Sequence, residues 1–369
     1  SNTEFLDPFV QPEFQNRYGT GSNGVRSGSG IYSWGQKLLP AARYGYTPAD
    51  FFETGHVYTN AVTVSGGTDK NQTYFSAASV NSDGIIPNNE YDRYNFTFRN
   101  TSYFLKDKLR LDASASYIYQ KDQNMTNQGV YSNPLVPAYL FPRGDDFDNV
   151  RLYQRWDESR NLYTQAWDYG SGDMSFQNPY WIMNKMINQT KKRRYMLSAN
   201  LKYDVTDWLD VTGRVKVDNA DMDITEKRYA GTDTNFAGEK GMYSIIKRND
   251  RQIYADAIAN IDLTFAGDYH LSANVGASLK DVRMDFMGWG GDLRKIPNFF
   301  SITNISTTNY KEREDGSHIQ SQSIFANVEL AWKSMLYLTV TGRNDWESAL
   351  AFSKYKSFFY PSVGLSAVV

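Results

Sequence analysis

Cysteine is absent from all 369 residues, so the chain has neither a disulfide framework nor a thiolate metal site, and its redox compartment is left open. Long apolar runs are missing too. No stretch approaches the roughly 18 consecutive apolar residues a transmembrane helix needs, and nothing at the N-terminus has the charged, apolar and small-residue regions of a signal peptide. Neither sign of charge dominates: the formal net charge is -2, which argues against a nucleic-acid partner, since that surface needs a clustered basic face. There are only three histidines, His56, His270 and His318. They stand far apart in sequence, read as strand-end or lumen residues, and no metal or cofactor is assigned to them. No G-x-S-x-G, H-E-x-x-H or phosphate-cradling glycine loop occurs, so no enzyme activity is expected.

Aromatic residues are abundant: 15% of the chain, with 27 Tyr, 21 Phe and 8 Trp, although the mean hydropathy is -0.58. A transmembrane β-barrel needs that combination, because only alternate residues face lipid, the lumen and loops stay wet, and aromatic girdles mark both interfaces.

Alternation with period two is the signal to look for. Leu109, Leu111, Ala113, Ala115, Tyr117 and Tyr119 share one face opposite Arg110, Asp112, Ser114, Ser116 and Gln120, with Ile118 the one breach. From Leu209, the set Leu209, Val211, Gly213, Val215 and Val217 alternates with Asp210, Thr212, Arg214, Lys216 and Asp218. A buried sandwich strand rarely tolerates five polar side chains on a face. The pattern returns over 253–265, 269–279, 324–332 and 336–340.

Connections alternate as well. Short links are expected at 66–72, 106–108, 204–207, 266–268 and 333–334, and longer ones at 84–90, 123–190, 230–249, 288–317 and 348–357. Outer-membrane barrels show this parity, with short periplasmic turns and long extracellular loops. The segment 123–190 reads as a folded extracellular loop within a partial barrel spanning 56–369. Residues 1–55, glycine- and serine-rich around 19–30, read as a connector into it.

Within the long loop, Trp156, Trp167, Tyr169 and Trp181 are candidate cargo or lid contacts, because aromatic faces suit the apolar face of a sugar ring; the alternative is that they form the loop's own core. Lys191-Lys192-Arg193-Arg194 reads as a loop-to-strand junction at the outer rim. Asp145, Asp146 and Asp148, and separately Asp218, Asp221 and Asp223, lack Ca²⁺-loop spacing and read as loop or rim charge.

Several short motifs occur in a fixed order: Ser33-Trp34-Gly35, Asp50-Phe51-Phe52-Glu53-Thr54-Gly55, Val64-Ser65-Gly66-Gly67, Asp83-Gly84-Ile85-Ile86-Pro87-Asn88-Asn89, Asn178-Pro179-Tyr180-Trp181 and Trp208-Leu209. The strongest is Thr339-Val340-Thr341-Gly342-Arg343-Asn344-Asp345-Trp346-Glu347-Ser348, followed by Phe358-Phe359-Tyr360-Pro361-Ser362-Val363. Together they resemble the starch-utilisation-type (SusC/RagA-like) TonB-dependent outer-membrane transporters over residues 32–369.

That resemblance implies an all-β, antiparallel up-and-down transmembrane barrel, with about eleven strands here out of 22, and no plug among these residues. It further implies import of an oligosaccharide or oligopeptide across the outer membrane of a Bacteroidetes-type Gram-negative cell. The implied partners are a SusD-like surface lipoprotein as lid, a TonB complex acting through the plug, the glycan or peptide cargo, and outer-membrane lipid. The competing expectation is a soluble or surface-attached β-sandwich adhesin that binds carbohydrate. A glycan-cleaving enzyme lacks a paired-carboxylate signature.

Overall fold

The computed structural model describes residues 21–22, 25–26, 35–38, 48–141, 145–169 and 176–368. Most of the expected connector, with Ser33 and Trp34, lies outside them. Eleven strands pair antiparallel into one sheet, each beside its sequence neighbours. They are β1 (His56–Thr68), β2 (Asn71–Asp83), β3 (Glu90–Phe104), β4 (Leu109–Gln123), β5 (Met186–Asp204) and β6 (Leu209–Tyr229), then β7 (Gly241–Phe265), β8 (Tyr269–Leu293), β9 (Ile305–Trp332), β10 (Leu336–Glu347) and β11 (Ser357–Ala367).

Links at one end are tight: residues 69–70, 105–108, 205–208, 266–268 and 333–335. In two of them Ala266 and Gly267, and Lys333 and Ser334, take positive φ, the left-handed pair whose twist matches that of the flanking strands. At the other end lie 84–89, 124–185, 230–240, 294–304 and 348–356. The alternation of short and long links holds throughout.

Directly opposed residues of antiparallel strands share a face, so the register identifies the two surfaces. One row reads Leu263, Leu271, Leu330, Leu338, Leu365 across β7 to β11. The offset row on the other face reads Asn200, Arg214, Asp256, Ser278, Ser323, Asp345 across β5 to β10. Among the described residues no second sheet covers the apolar face: Val215, Val275, Ile324, Val340 and Leu365 stay exposed. A sandwich would bury that row in a dry core, whereas a barrel wall turns it to hydrocarbon.

Strand length departs from expectation. β7 and β8 have 25 residues each and β9 has 28, whereas a tilted crossing takes about 9–11. The expected link 288–317 is therefore only 294–304, and 230–249 is only 230–240. Gly288, Gly290, Gly291 and the charges of 311–315 have loop-like composition, yet Gly288 pairs with Arg313 and Gly290 with Lys311. Backbone pairing outside the membrane needs no apolar face, so composition does not mark where it stops.

The basic run at 191–194 is also corrected: it lies inside β5, not at a loop junction. Lys192 and Arg194 point to the lumen, while Lys191 and Arg193 point outward. Asp218, Asp221 and Asp223 likewise belong to β6. Arg194 pairs with Asp218 and Arg193 with Asp223, which is why two sequence-distant charge clusters face one another.

Candidate functional site: the lumen face and its outer cap

The polar face of the wall is a lattice of matched donors and carboxylates. Asp256, whose side chain is 0% exposed, receives the Arg214 guanidinium at 2.8 Å, with Nε at 2.9 and 3.0 Å from its two oxygens. Thr101 donates to Asp112 at 2.6 Å, Asn81 to Asp92 at 2.7 Å, and Asn260 to Asp210 at 2.8 Å. Arg343 reaches Ser323 at 2.9 Å and Asp345 at 2.7 Å. Buried charge is costly unless paired and hydrogen-bonded, and this spacing across neighbouring strands supplies the partners.

Gly276 completes the lattice sterically. It lies opposite Phe325, and a Cβ there would sit 2.6 Å from the Phe325 ring and 2.9 Å from the Ala257 carbonyl oxygen. The ring lies across the glycine, with the Arg343 guanidinium 5.7 Å from its centroid.

Where β6 to β9 rise above the membrane band, the same face opens into a cavity of about 410 Å³. Met242, Ile246 and Phe286 supply apolar surface, and Glu226, Lys311 and Arg313 supply both signs of charge. Arg313 lies 5.0 Å over the Phe286 ring. Gly288 and Gly290 keep the floor flat, since a Cβ at Gly290 would lie 2.9 Å from Ser244 Oγ. This cavity was missed in the sequence because its strands read as loop, and Ser244, Ile246 and Arg248 show no hydropathy contrast with Ile245 and Lys247 that could have marked a strand.

The link 124–185 is folded. It holds α1 (Leu135–Leu140), α2 (Asp148–Arg151), a hairpin of Gln154–Asp157 with Leu162–Gln165, and α3 (Pro179–Lys185). Phe51, Phe141, Phe147, Val150, Trp181 and Met183 form its buried core. Asn178 organises it: its side-chain oxygen accepts from the Tyr180 and Trp181 amides, and its Nδ2 donates to the Val150 and Ala166 carbonyls. With Pro179 at the first helical turn, this is an N-cap that also ties α2 and the hairpin to α3.

Three sequence-distant motifs meet here. Phe51 stands 5.3 Å edge-on to Tyr180, and Asn88 and Asn124 each donate to the Met183 carbonyl at 2.7 Å. Thus 50–55, 83–89 and 178–181 form one joint that anchors the cap to β1, β2 and β5.

Of the four aromatic candidates, Trp181 is 1% exposed and its indole N–H donates to Thr232 at 3.0 Å. Trp167 and Tyr169 pack against the same core, with their rings 4.8 Å apart. Trp156 stands apart on the hairpin, 49% exposed and 5.2 Å edge-on to Tyr163. Burial, then the Asp145 carboxylate, holds the Tyr169 phenol well above the ordinary tyrosine range. Burial likewise raises Tyr180 and lowers Lys185.

The chain matches no protein-family model. It is 23% identical over 317 residues to "TonB-dependent receptor P26" of Formosa agariphila, covering 83% of this chain and 29% of that protein. In fold it is similar to a chain of the RagAB peptide transporter, with TM-score 0.68, 14% identity, and coverage of 84% of this chain and 34% of that one. The RagAB peptide importer in its closed-closed state gives TM-score 0.68 at 15% identity, over 85% of this chain and 34% of that one. The chain thus spans about a third of the proteins it resembles, and its fold is that of a TonB-dependent receptor barrel wall.

Proposed function

We propose that this chain forms part of the wall and outer vestibule of a TonB-dependent importer that moves a large nutrient across the outer membrane. The observation that carries it is the pair of offset rows within an eleven-stranded meander, leucine outward across β7 to β11 and polar and charged side chains inward across β5 to β10. Such a wall separates hydrocarbon from a wet passage.

The cargo we favour is an oligopeptide. The cavity offers apolar surface among two acidic side chains, Glu226 and Asp292, and two basic ones, Lys311 and Arg313, which suits a chain of mixed side chains and charged ends. RagAB, the fold neighbour, is named a peptide importer. The exposed Trp156 and Tyr163 rings favour a second cargo, an oligosaccharide stacked on the hairpin. On either reading the outer loops meet a SusD-like surface lipoprotein, and a TonB complex supplies the energy through a plug.

The test is uptake by cells carrying the intact transporter. Reversing Lys311 and Arg313 to glutamate should cut uptake of labelled oligopeptides at least ten-fold, leaving the amount of folded barrel in the membrane unchanged. Uptake at the native rate would refute the placement of cargo at this cavity. Loss of oligosaccharide uptake alone in Trp156→Ala would favour the second cargo.

A further inference from the structure

The outward face carries an open hollow of about 930 Å³ across β7 to β10. Its outward lining is apolar at Ala255, Ala257, Ala277, Leu279, Ile324 and Trp346, with the Gln322 amide between Leu279 and Trp346 and Gln320 at the upper edge. The small side chains of Ala255, Ala257 and Ala277 form its floor, and Leu279, Ile324 and Trp346 are the larger apolar side chains around them. The turn after β10 overhangs it, so that Ser348, Ala351 and Lys356 complete the rim. That turn is held in place by the Gln320 amide, which donates to Ser348 Oγ at 2.8 Å.

Depth in the membrane follows from the register. Tyr269, Trp332 and Leu336 form one row at the short-turn end, and Leu279, Gln322 and Trp346 lie on the outward face toward the other end. A strand from Tyr269 to Leu279 matches one tilted crossing of about 9–11 residues, which puts the hollow in the outer leaflet. Directly above, the outward face turns polar. Asp281 accepts from His318 at 2.7 Å and from Gln320 at 2.6 Å, and Arg283 pairs with Asp285 at 3.0 Å. Those charges are matched; Lys356 has no ion pair among the described residues.

We propose that this hollow seats an acyl chain of an anionic outer-leaflet lipid whose phosphate meets Lys356. The inference rests on the wall reading above, since hydrocarbon surrounds this face only if the strands cross the membrane. A smooth wall would be covered by any lipid. A recess that ends under an unpaired ammonium at headgroup height selects for a chain joined to negative charge.

The test uses the intact transporter in mild detergent, with native mass spectrometry after exposure to lipid A, to lipid A stripped of its phosphates, and to inorganic phosphate. One phosphorylated lipid should stay bound per barrel, and inorganic phosphate should not. Ala277→Phe or Ala257→Phe, which fill the recess, should lower retention at least ten-fold. Lys356→Gln should remove the preference for the phosphorylated form while stripped lipid still binds, and Val363→Phe, outward but outside the recess, should change nothing.

Brominated acyl chains give a readout that needs no filling variant: they should quench a fluorescence component that disappears in Trp346→Phe. Native retention in both filling variants, equal retention of the two lipids by the unaltered protein, or quenching unchanged in Trp346→Phe overturns the site. A transporter that stays folded and monodisperse without detergent overturns the wall reading instead, so the two failures are distinct.

Discussion

Replacing Trp181 by alanine should open the outer cap and leave the wall intact. The side chain is 1% exposed among Phe51, Phe147, Val150 and Met183, and truncating a core tryptophan costs about 3–5 kcal/mol. Its indole N–H satisfies Thr232, and stranding a buried hydroxyl adds about 1 kcal/mol. A total of about 5 kcal/mol multiplies the cap's opening equilibrium by nearly four decades, at about 1.36 kcal/mol per decade. The wall should be unaffected because its rows lie outside this core. The assay is limited proteolysis of the intact protein where cleavage follows the opening equilibrium, with heat-modifiable gel migration reporting the barrel. Cuts within 124–185 should accelerate in Trp181→Ala. They should change little in Trp156→Ala, whose ring is half exposed and whose loss costs about 1 kcal/mol of edge-on contact with Tyr163. A cap as resistant in Trp181→Ala as in the native protein, with cargo affinity lost, would show that the tryptophan serves a ligand and refute the packing account.

The remaining expectations concern the cap and the lattice. Asn178→Ala removes an N-cap and two buried donors, and should destabilise the cap by about 2–3 kcal/mol, read by the same proteolysis; Asn178→Asp keeps the cap oxygen but not the donors to Val150 and Ala166, and should fall between. Gly276→Ala would push against Phe325 and the Ala257 backbone; an overpacking cost of about 1–3 kcal/mol should appear as a lower barrel unfolding midpoint, relieved by Phe325→Leu. Tyr169 and Tyr180 hold their protons more tightly folded than unfolded, so this contribution to cap stability is full below the ordinary tyrosine pKa of about 10 and is lost as pH rises beyond it. A phenolate absorbance titration should show one late-ionising phenol that disappears in Tyr169→Phe and another that disappears in Tyr180→Phe; titration of both at the ordinary value would contradict their burial.

What could be read from the linear chain was whatever depends on near neighbours. Strand existence followed from alternation, since Leu209, Val211, Val215 and Val217 can all face lipid only if the chain is extended. The meander followed from alternating link lengths, because a tight turn such as 266–268 permits only an antiparallel neighbour. Strand ends above the membrane were less legible. In 288–293 and 305–317 neither face is in lipid, so hydropathy carries no instruction, and pairing between β8 and β9 alone keeps the strands going. The lumen cavity was hidden for the same reason.

By itself, then, the sequence determined an alternating, two-faced wall, because period-two contrast is a local property of the chain. Only the tertiary structure decided which charges neutralise one another and which aromatics are buried. Arg194 meets Asp218, and Phe51 meets Tyr180, through register and loop closure across long stretches of chain. No short-range pattern records such meetings. Trp156 and Trp181 look alike as residues, and they differ only in what the folded cap puts around them.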